Sequence, residues 1–346
     1  MKNLNLIGRR IKLVMQVARY GRLEKAEPPD LAQVRPEELA EIKTFFPMDK
    51  FFILGFARSG TTLLTRLIRL HPEVHCNYQA HFFTRPPLLS GMAADPAVRE
   101  WLARPSNRWN RGGDLSTIAL RAMADYILER DARREGARIV GDKSPNVLMN
   151  SRAIMQMSLF YPEAKVVVII RDGRDALVSQ RFQNFINSPH RLSAENLRIR
   201  DEFAADPAPF LSGTRSIFTE KRIRDMSGDW AANVTETSRE GRAVYGDRFY
   251  SLKYEDLLNQ PYETISKVWE FLGADPAGLD RAIAQEMEYN PDADYQKEVA
   301  ADLVKPLEKG KHGSWRELFT SRDRQIFKEI AGQALIGCGY EKDLEW

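Results

Sequence analysis

The chain has 346 residues, 43% of them hydrophobic and 29% charged, with a formal net charge of +3. That balance describes a globular protein with a sizeable core, and it excludes a disordered chain or a nucleic-acid binder working through a global positive field. Two cysteines, Cys76 and Cys338, are too few for a disulfide framework or a zinc site of their own, and no run of 18 apolar residues offers a spanning helix. A reducing compartment, the cytoplasm, is expected. Arg9, Arg10 and Lys12 interrupt what would be the apolar core of a signal peptide.

Residues 1–27 are basic. Ile7, Ile11, Val14 and Ala18 fall on one helical stripe, with Arg9, Arg10, Lys12, Arg19, Arg22 and Lys25 largely off it. The pattern suits a helix lying on an anionic membrane surface, or one docked on the protein's own body or on a partner subunit of a homodimer. Pro28 and Pro29 break it. Residues 1–35 are therefore set apart as a basic segment from one main domain, 36–346. Pro36 to Phe46 predicts a short helix leading into the first strand.

Phe51 to Leu54 is a continuous apolar run, as expected of a strand buried on both faces of a parallel sheet. Leu63, Leu64, Leu67 and Ile68 then repeat at helical spacing. Between them lies Gly55-Phe56-Ala57-Arg58-Ser59-Gly60-Thr61-Thr62. A glycine pair and hydroxyls between a strand and a helix make an anion cradle, in which turned backbone N–H groups and the helix N-terminus face the ligand. The spacing nearly matches the phosphate loop of nucleoside triphosphatases, but Thr61 stands in the lysine slot and Arg58 is the loop's only cation. A phosphate still fits such a loop. Triphosphate–metal chemistry fits it poorly.

After the helix-ending His71-Pro72, a short segment carries His75 and His81, polar residues at a wall facing the cradle. Residues 84–113 are rich in Pro, Arg and Trp and predict loops and short helices. Leu115 to Arg133 has helical periodicity. Ala137 to Gly141 predicts a short buried strand running into Asp142-Lys143-Ser144-Pro145. Ala164 to Ile170 is the clearest strand in the chain, and Arg171 closes it. Ligands gather at the carboxyl ends of parallel strands, so the Lys143-Ser144 pair and Arg171 are placed at the site. Ser179, eight residues after Arg171, lies two turns into the next helix, where the two could meet a second phosphate. Arg174 and Asp175 are expected to pair with each other or with solvent.

Residues 181–228 are a long insertion whose Phe182, Phe185, Phe203, Phe210 and Phe218 alternate with arginines, which suggests a lid or acceptor covering. Trp230 to Val244 predicts a helix, Arg248 to Leu252 a strand, Tyr262 to Leu272 a helix, and Ser321 to Leu335 a closing helix capped by Ser321. The fold class is α/β: a single P-loop-type domain with a central parallel sheet flanked by helices.

Together, Arg58-Ser59-Gly60-Thr61-Thr62 and the Arg171–Ser179 pair resemble the sulfotransferase superfamily, whose donor is 3′-phosphoadenosine 5′-phosphosulfate (PAPS). Lys143-Ser144, Lys253-Tyr254-Glu255-Asp256-Leu257-Leu258 and Lys309-Gly310-Lys311-His312-Gly313-Ser314-Trp315-Arg316 are similar to further family elements. The resemblance covers roughly residues 50–335. It implies that Arg58, Ser59, Gly60, Thr61 and Thr62 hold the 5′-phosphosulfate, that Arg171, Ser179, Lys309 and Gly310 hold the 3′-phosphate, and that Lys143 reaches the transferring group. It implies no metal.

The sequence departs from individual branches. Leu63 stands where cytosolic members carry an adenine-packing tryptophan, and Pro145 where they carry a histidine. Gln79 stands where the tyrosyl-protein branch carries a glutamate base. For the base, His81 comes first, Asp142 second and His75 third. The acceptor is left open among a lipid, a carbohydrate and a small metabolite. A P-loop kinase or triphosphatase, and a non-catalytic nucleotide-binding scaffold, are the alternative readings.

Overall fold

The computed structural model describes residues 14–15, 31–86, 88–289, 303 and 312–346. Lys309, Gly310 and nearly all of the basic segment 1–27 lie outside the described residues. Five parallel strands form one sheet: β1 (Asp49–Leu54), β2 (Val74–Tyr78), β3 (Ile139–Lys143), β4 (Lys165–Ile170) and β5 (Phe249–Lys253), in the order β2-β3-β1-β4-β5. Four of the five were expected within about two residues of their observed ends; β2 was expected only as a short segment and not as a strand.

Side chains along β1 alternate between two cores, as strand geometry requires. Phe52 and Leu54 join Val140, Val166 and Val168 in the larger core, under the helices Ser116–Glu135, Ser151–Phe160, Glu220–Tyr245 and Ser321–Gly337. Phe51 and Ile53 join Ile139, Val167 and Ile169 in the smaller one, under Thr61–Ile68 and Pro261–Leu272. With helices on both faces, every β1 residue from Lys50 to Leu54 is buried, so the run carries no polar alternation.

The chain passes from β1 to β2 on one side of the sheet and later reaches β4 on the other. The carboxyl ends of β1 and β4 therefore flank a topological switch point, where open α/β sheets bind ligands. The loop after β1 and the turn after β4 both open there.

Three expectations are corrected. The helix ending at Tyr245 begins at Glu220, capped by Thr219, ten residues before the predicted start. The closing helix is capped by Thr320, which forms a capping box with Asp323; Ser321 is its first helical residue. The five phenylalanines of the 181–228 stretch do not line an open covering. Phe182, Phe203 and Phe210 stack edge to face within the large core, with ring centroids 4.9 and 5.3 Å apart, and Phe185 and Phe218 are buried with them.

Candidate active site

The loop after β1 is pinned from three sides. The side chain of Asn146, fully buried beyond the end of β3, accepts the Gly55 N–H at 3.1 Å, and the Asn146 N–H donates back to Gly55 O at 3.3 Å. Ile169 of β4 lies so close that a Cβ on Gly55 would sit 2.7 Å from its carbonyl oxygen. The ring of Tyr254, at the end of β5, rests on Gly60. A Cβ there would come within 2.1 Å of it, and Gly60 holds φ +89°, where a side chain is strained. Arg58 at the crest is also left-handed, with φ 67°. A non-glycine residue held there costs on the order of 1 kcal/mol and persists because the surroundings impose it.

From this loop the site extends to two poles. At the first, Arg171 at the end of β4 donates from Nη1 to Arg58 O at 3.0 Å, and the Tyr254 ring centroid lies 4.7 Å from its guanidinium carbon. Arg58 Nε donates to Ser179 Oγ at 3.2 Å. Arg58, Arg171 and Ser179 thus form one cluster. At the second pole, Lys143 at the end of β3 is almost wholly buried; its Nζ lies 3.4 Å from Thr62 Oγ1 and 5.1 Å from the centroid of the Tyr78 ring. The strands thus deliver three cations to one crevice, spanned by residues 58–62.

Beside the second pole, two of three successive residues are left-handed: Gln79 with φ 57° and His81 with φ 54°. Asp142 fixes this turn. One carboxylate oxygen accepts the Ala80 N–H at 3.0 Å and the other accepts the Ser144 hydroxyl at 2.5 Å. Ser144 Oγ in turn accepts the His81 N–H at 3.0 Å. Burial pushes the Asp142 carboxyl up to about 6, although Ser144, Ala80 and Lys143 hold it back. Both its oxygens are engaged by protein donors, so it serves the turn. His81 stands with Nδ1 2.8 Å from Thr84 Oγ1. Burial, then Arg85 and Lys143, hold its pKa below the ordinary histidine value, which favours the neutral imidazole. His75 is not brought to the site. It is the second residue of β2, and its Nδ1 lies 2.6 Å from Glu135 at the far end of the sheet.

Other residues matter that the sequence reading did not single out. Asp175 does not pair with Arg174. It accepts the N–H groups of Gly313 and Trp315, at 2.6 and 3.1 Å, and the Ser314 hydroxyl at 3.1 Å, and so ties the late basic segment to the helix that follows Arg171. Arg174 instead binds Asp172 and Glu341 and stacks on Trp315 and Trp346. Asn146 carried no sequence signal. Ser59 differs from expectation too: its N–H is spent on Phe56 O, and what it offers is its hydroxyl.

Residues 50–277 match the model described as the sulfotransferase family. The chain belongs to this family. A nodulation protein, NoeE, of Sinorhizobium fredii is 24% identical over 85% of this chain and 66% of its own length. Protein-tyrosine sulfotransferase 2 of Gallus gallus is 31% identical over 74% of this chain and 59% of its own. The chain thus spans less than two thirds of the length of these curated relatives. The sulfotransferase domain of the Synechococcus PCC 7002 olefin synthase superposes with a TM-score of 0.45 at 17% identity, covering 89% of this chain and 98% of that one. The family match takes in the loop, Lys143, Arg171, Ser179 and Tyr254, and ends before the segment that Asp175 holds.

Proposed function

We propose that the chain is a PAPS-dependent sulfotransferase that moves a sulfuryl group to a hydroxyl or amine of a small-molecule, glycan or lipid acceptor. The observation that carries this reading is that, of six buried side-chain polar atoms with no hydrogen-bond partner among the described residues, two, Ser59 Oγ and Arg171 Nε, fall on the two elements of the site. Buried polar atoms are rarely left so unless a ligand completes them. One lies in the phosphate loop and the other at the end of β4, the two elements that would each hold one phosphate of such a donor. A triphosphatase reading needs a lysine at position 61, where Thr61 stands.

PAPS supplies an activated sulfuryl group on a bisphosphate leaving group. The residues of the chain position it and meet its charge. The N–H groups of Thr61 and Thr62 precede the first intrahelical bond, Leu64 N–H to Gly60 O, and so remain available to oxyanions, with Gly60 allowing close approach. Ser59 Oγ and Lys143 Nζ serve the 5′ side. Arg171 and Ser179 serve the 3′-phosphate, with Lys309 and Gly310 as further contacts, and Arg58 ties Arg171 and Ser179 together through its carbonyl and its Nε. His81, neutral at ordinary pH, takes the acceptor proton. Asp142 holds the turn that presents it.

The deciding measurement is calorimetric binding of adenosine 3′,5′-bisphosphate without magnesium. Wild type should bind, and Arg171→Ala should lose at least about a hundredfold in affinity, roughly 2.7 kcal/mol for a desolvated charge-assisted contact. Failure of wild type to bind would remove the reading.

A further inference from the structure

The segment between β2 and β3 carries an exposed aromatic pair. Trp101 and Trp109 stack with ring centroids 5.0 Å apart and planes at 29°, yet they are 61% and 51% exposed. Val98, one turn before Trp101 on the helix Pro96–Ala103, is 40% exposed on the same face. The pair is held in place by the backbone beneath it. Asn107 donates to Trp101 O at 2.9 Å, the buried Asn110 donates to Leu102 O at 3.1 Å, and Gly112 N–H closes the loop onto Asn107 O at 3.2 Å. A preorganised, solvent-facing patch of large apolar side chains marks a surface that meets something other than water.

Charge indicates what it meets. From Trp101 to Gly113 the chain has three exposed arginines, Arg104, Arg108 and Arg111; Glu100 and Asp114 flank the stretch, and Arg104 lies 3.7 Å from Glu100, so Arg108 and Arg111 give the face its positive charge. Tryptophan rings at the level of the headgroups, with arginines beside them, are what an anionic bilayer surface binds. Ala32, a few residues after the basic segment in sequence, lies next to this patch. Thr117 Oγ1 donates to Ala32 O at 2.6 Å, and Leu115, two residues before Thr117, donates its N–H to Leu102 O at 3.2 Å. Residues 1–27, which precede Ala32 by only a few residues, hold seven Lys or Arg against two Glu. That segment would meet like charge if it folded back over Arg104, Arg108 and Arg111, whereas both regions are drawn to the same negative surface. Val14 and Met15, described in helical conformation, are 68% and 65% exposed rather than covered by the body.

We propose that Trp101 and Trp109, flanked by Arg104, Arg108 and Arg111, form a docking face for an anionic lipid bilayer. This assignment is independent of the donor reading and can fail without it.

The test is flotation of the full chain with phosphatidylcholine vesicles made with and without phosphatidylglycerol, read together with quenching of native tryptophan fluorescence by bromine-labelled lipid tails. Trp230, Trp269 and Trp315 are buried, so quenching reports chiefly on the exposed rings. Wild type should float only with the anionic vesicles and be quenched. W101A/W109A should lose about tenfold or more in partitioning and most of the quenching. R108Q/R111Q, which keeps the rings, should lose partitioning by a similar factor and serves if the tryptophan variant misfolds. Unchanged partitioning in both variants would overturn the proposal, as would a wild type that ignores anionic vesicles. Unchanged vesicle binding with a selective rise in KM for a soluble acceptor in W101A/W109A would also overturn it and give the face to the acceptor.

Discussion

The two ends of the sheet carry comparable numbers of buried charges, and they use them in opposite ways. At the amino end, Lys50 at the start of β1 lies 2.7 Å from Glu129 and 3.7 Å from Asp125. Arg121 binds Asp125 at 3.0 Å and Glu163 at 2.5 Å, and the Tyr161 hydroxyl donates to Asp125 at 3.0 Å. With Arg133 on Glu129, three cations meet three carboxylates. At the carboxyl end, Arg58, Lys143 and Arg171 share the crevice with Asp142, whose carboxyl burial has pushed to about 6, and two polar atoms lack partners. A cluster that serves the fold closes its own charge balance. One that serves a ligand leaves polar atoms whose hydrogen bonds the ligand completes.

Substitutions at the two ends should therefore separate stability from chemistry. The largest effect is expected at Lys143. Lys143→Met should lower turnover roughly a thousandfold, about 4 kcal/mol of transition-state stabilisation, while changing bisphosphate affinity much less. Asp125→Ala should act on stability instead. It should cost about 3 to 4 kcal/mol in denaturant unfolding, because Lys50 and Arg121 each lose one of two carboxylates, and leave bisphosphate affinity unchanged in the folded fraction. A loss of affinity matching the loss of stability would show that the two ends are not separable.

The third effect depends on pH. Asp142 has a folded-state value near 6, above its ordinary 3.8. Its contribution to stability is thus fully present below about pH 4 and is lost as pH rises through about 6. The shift corresponds to a loss on the order of 3 kcal/mol, and Asp142→Asn should abolish that component of the stability–pH curve. A curve identical in wild type and variant would mean that Asp142 is ionised without penalty. The smallest effect is expected at His81. His81→Ala should reduce turnover about a hundredfold, near 2.7 kcal/mol, with bisphosphate binding intact. Because its neutral form is the one that works, wild-type turnover should fall only as pH drops below the ordinary histidine range. The variant should lack that limb.

The amino acid sequence exposed the parts of this arrangement that are local. Phe51–Leu54 followed by a glycine pair and a 3.6-residue repeat identifies strand, cradle and helix within one stretch, and the apolar run ending at Arg171 does the same for β4. Asn146, Tyr254 and Asp175 were not legible as partners of the loop, Gly60 and the 313–315 backbone, because those contacts join residues far apart in the chain. The start of the Glu220–Tyr245 helix was hidden because charges and Gly228 interrupt the spacing of Ile223, Met226 and Trp230. The cap at Thr320 was within reach: only Thr320 lies three residues before Asp323, as a capping box requires. The phenylalanines at 182–218 looked like a covering because composition does not say which way a ring points.

The central position of β1 has a consequence for how the protein is made. Phe51 pairs with Gly141 on one side and with Lys165 on the other. Both neighbours are synthesised long after it. At about 5–20 residues per second, on the order of ten seconds pass before the second one exists. Through that interval the apolar edge of β1 that will face β4 has no partner, and β2, which emerges first, cannot cap β1 because its place is against β3. Slow, non-local pairing of this kind invites association between unfinished chains. Yield during synthesis should therefore respond to chaperone supply and growth temperature more than the stability of the finished molecule does.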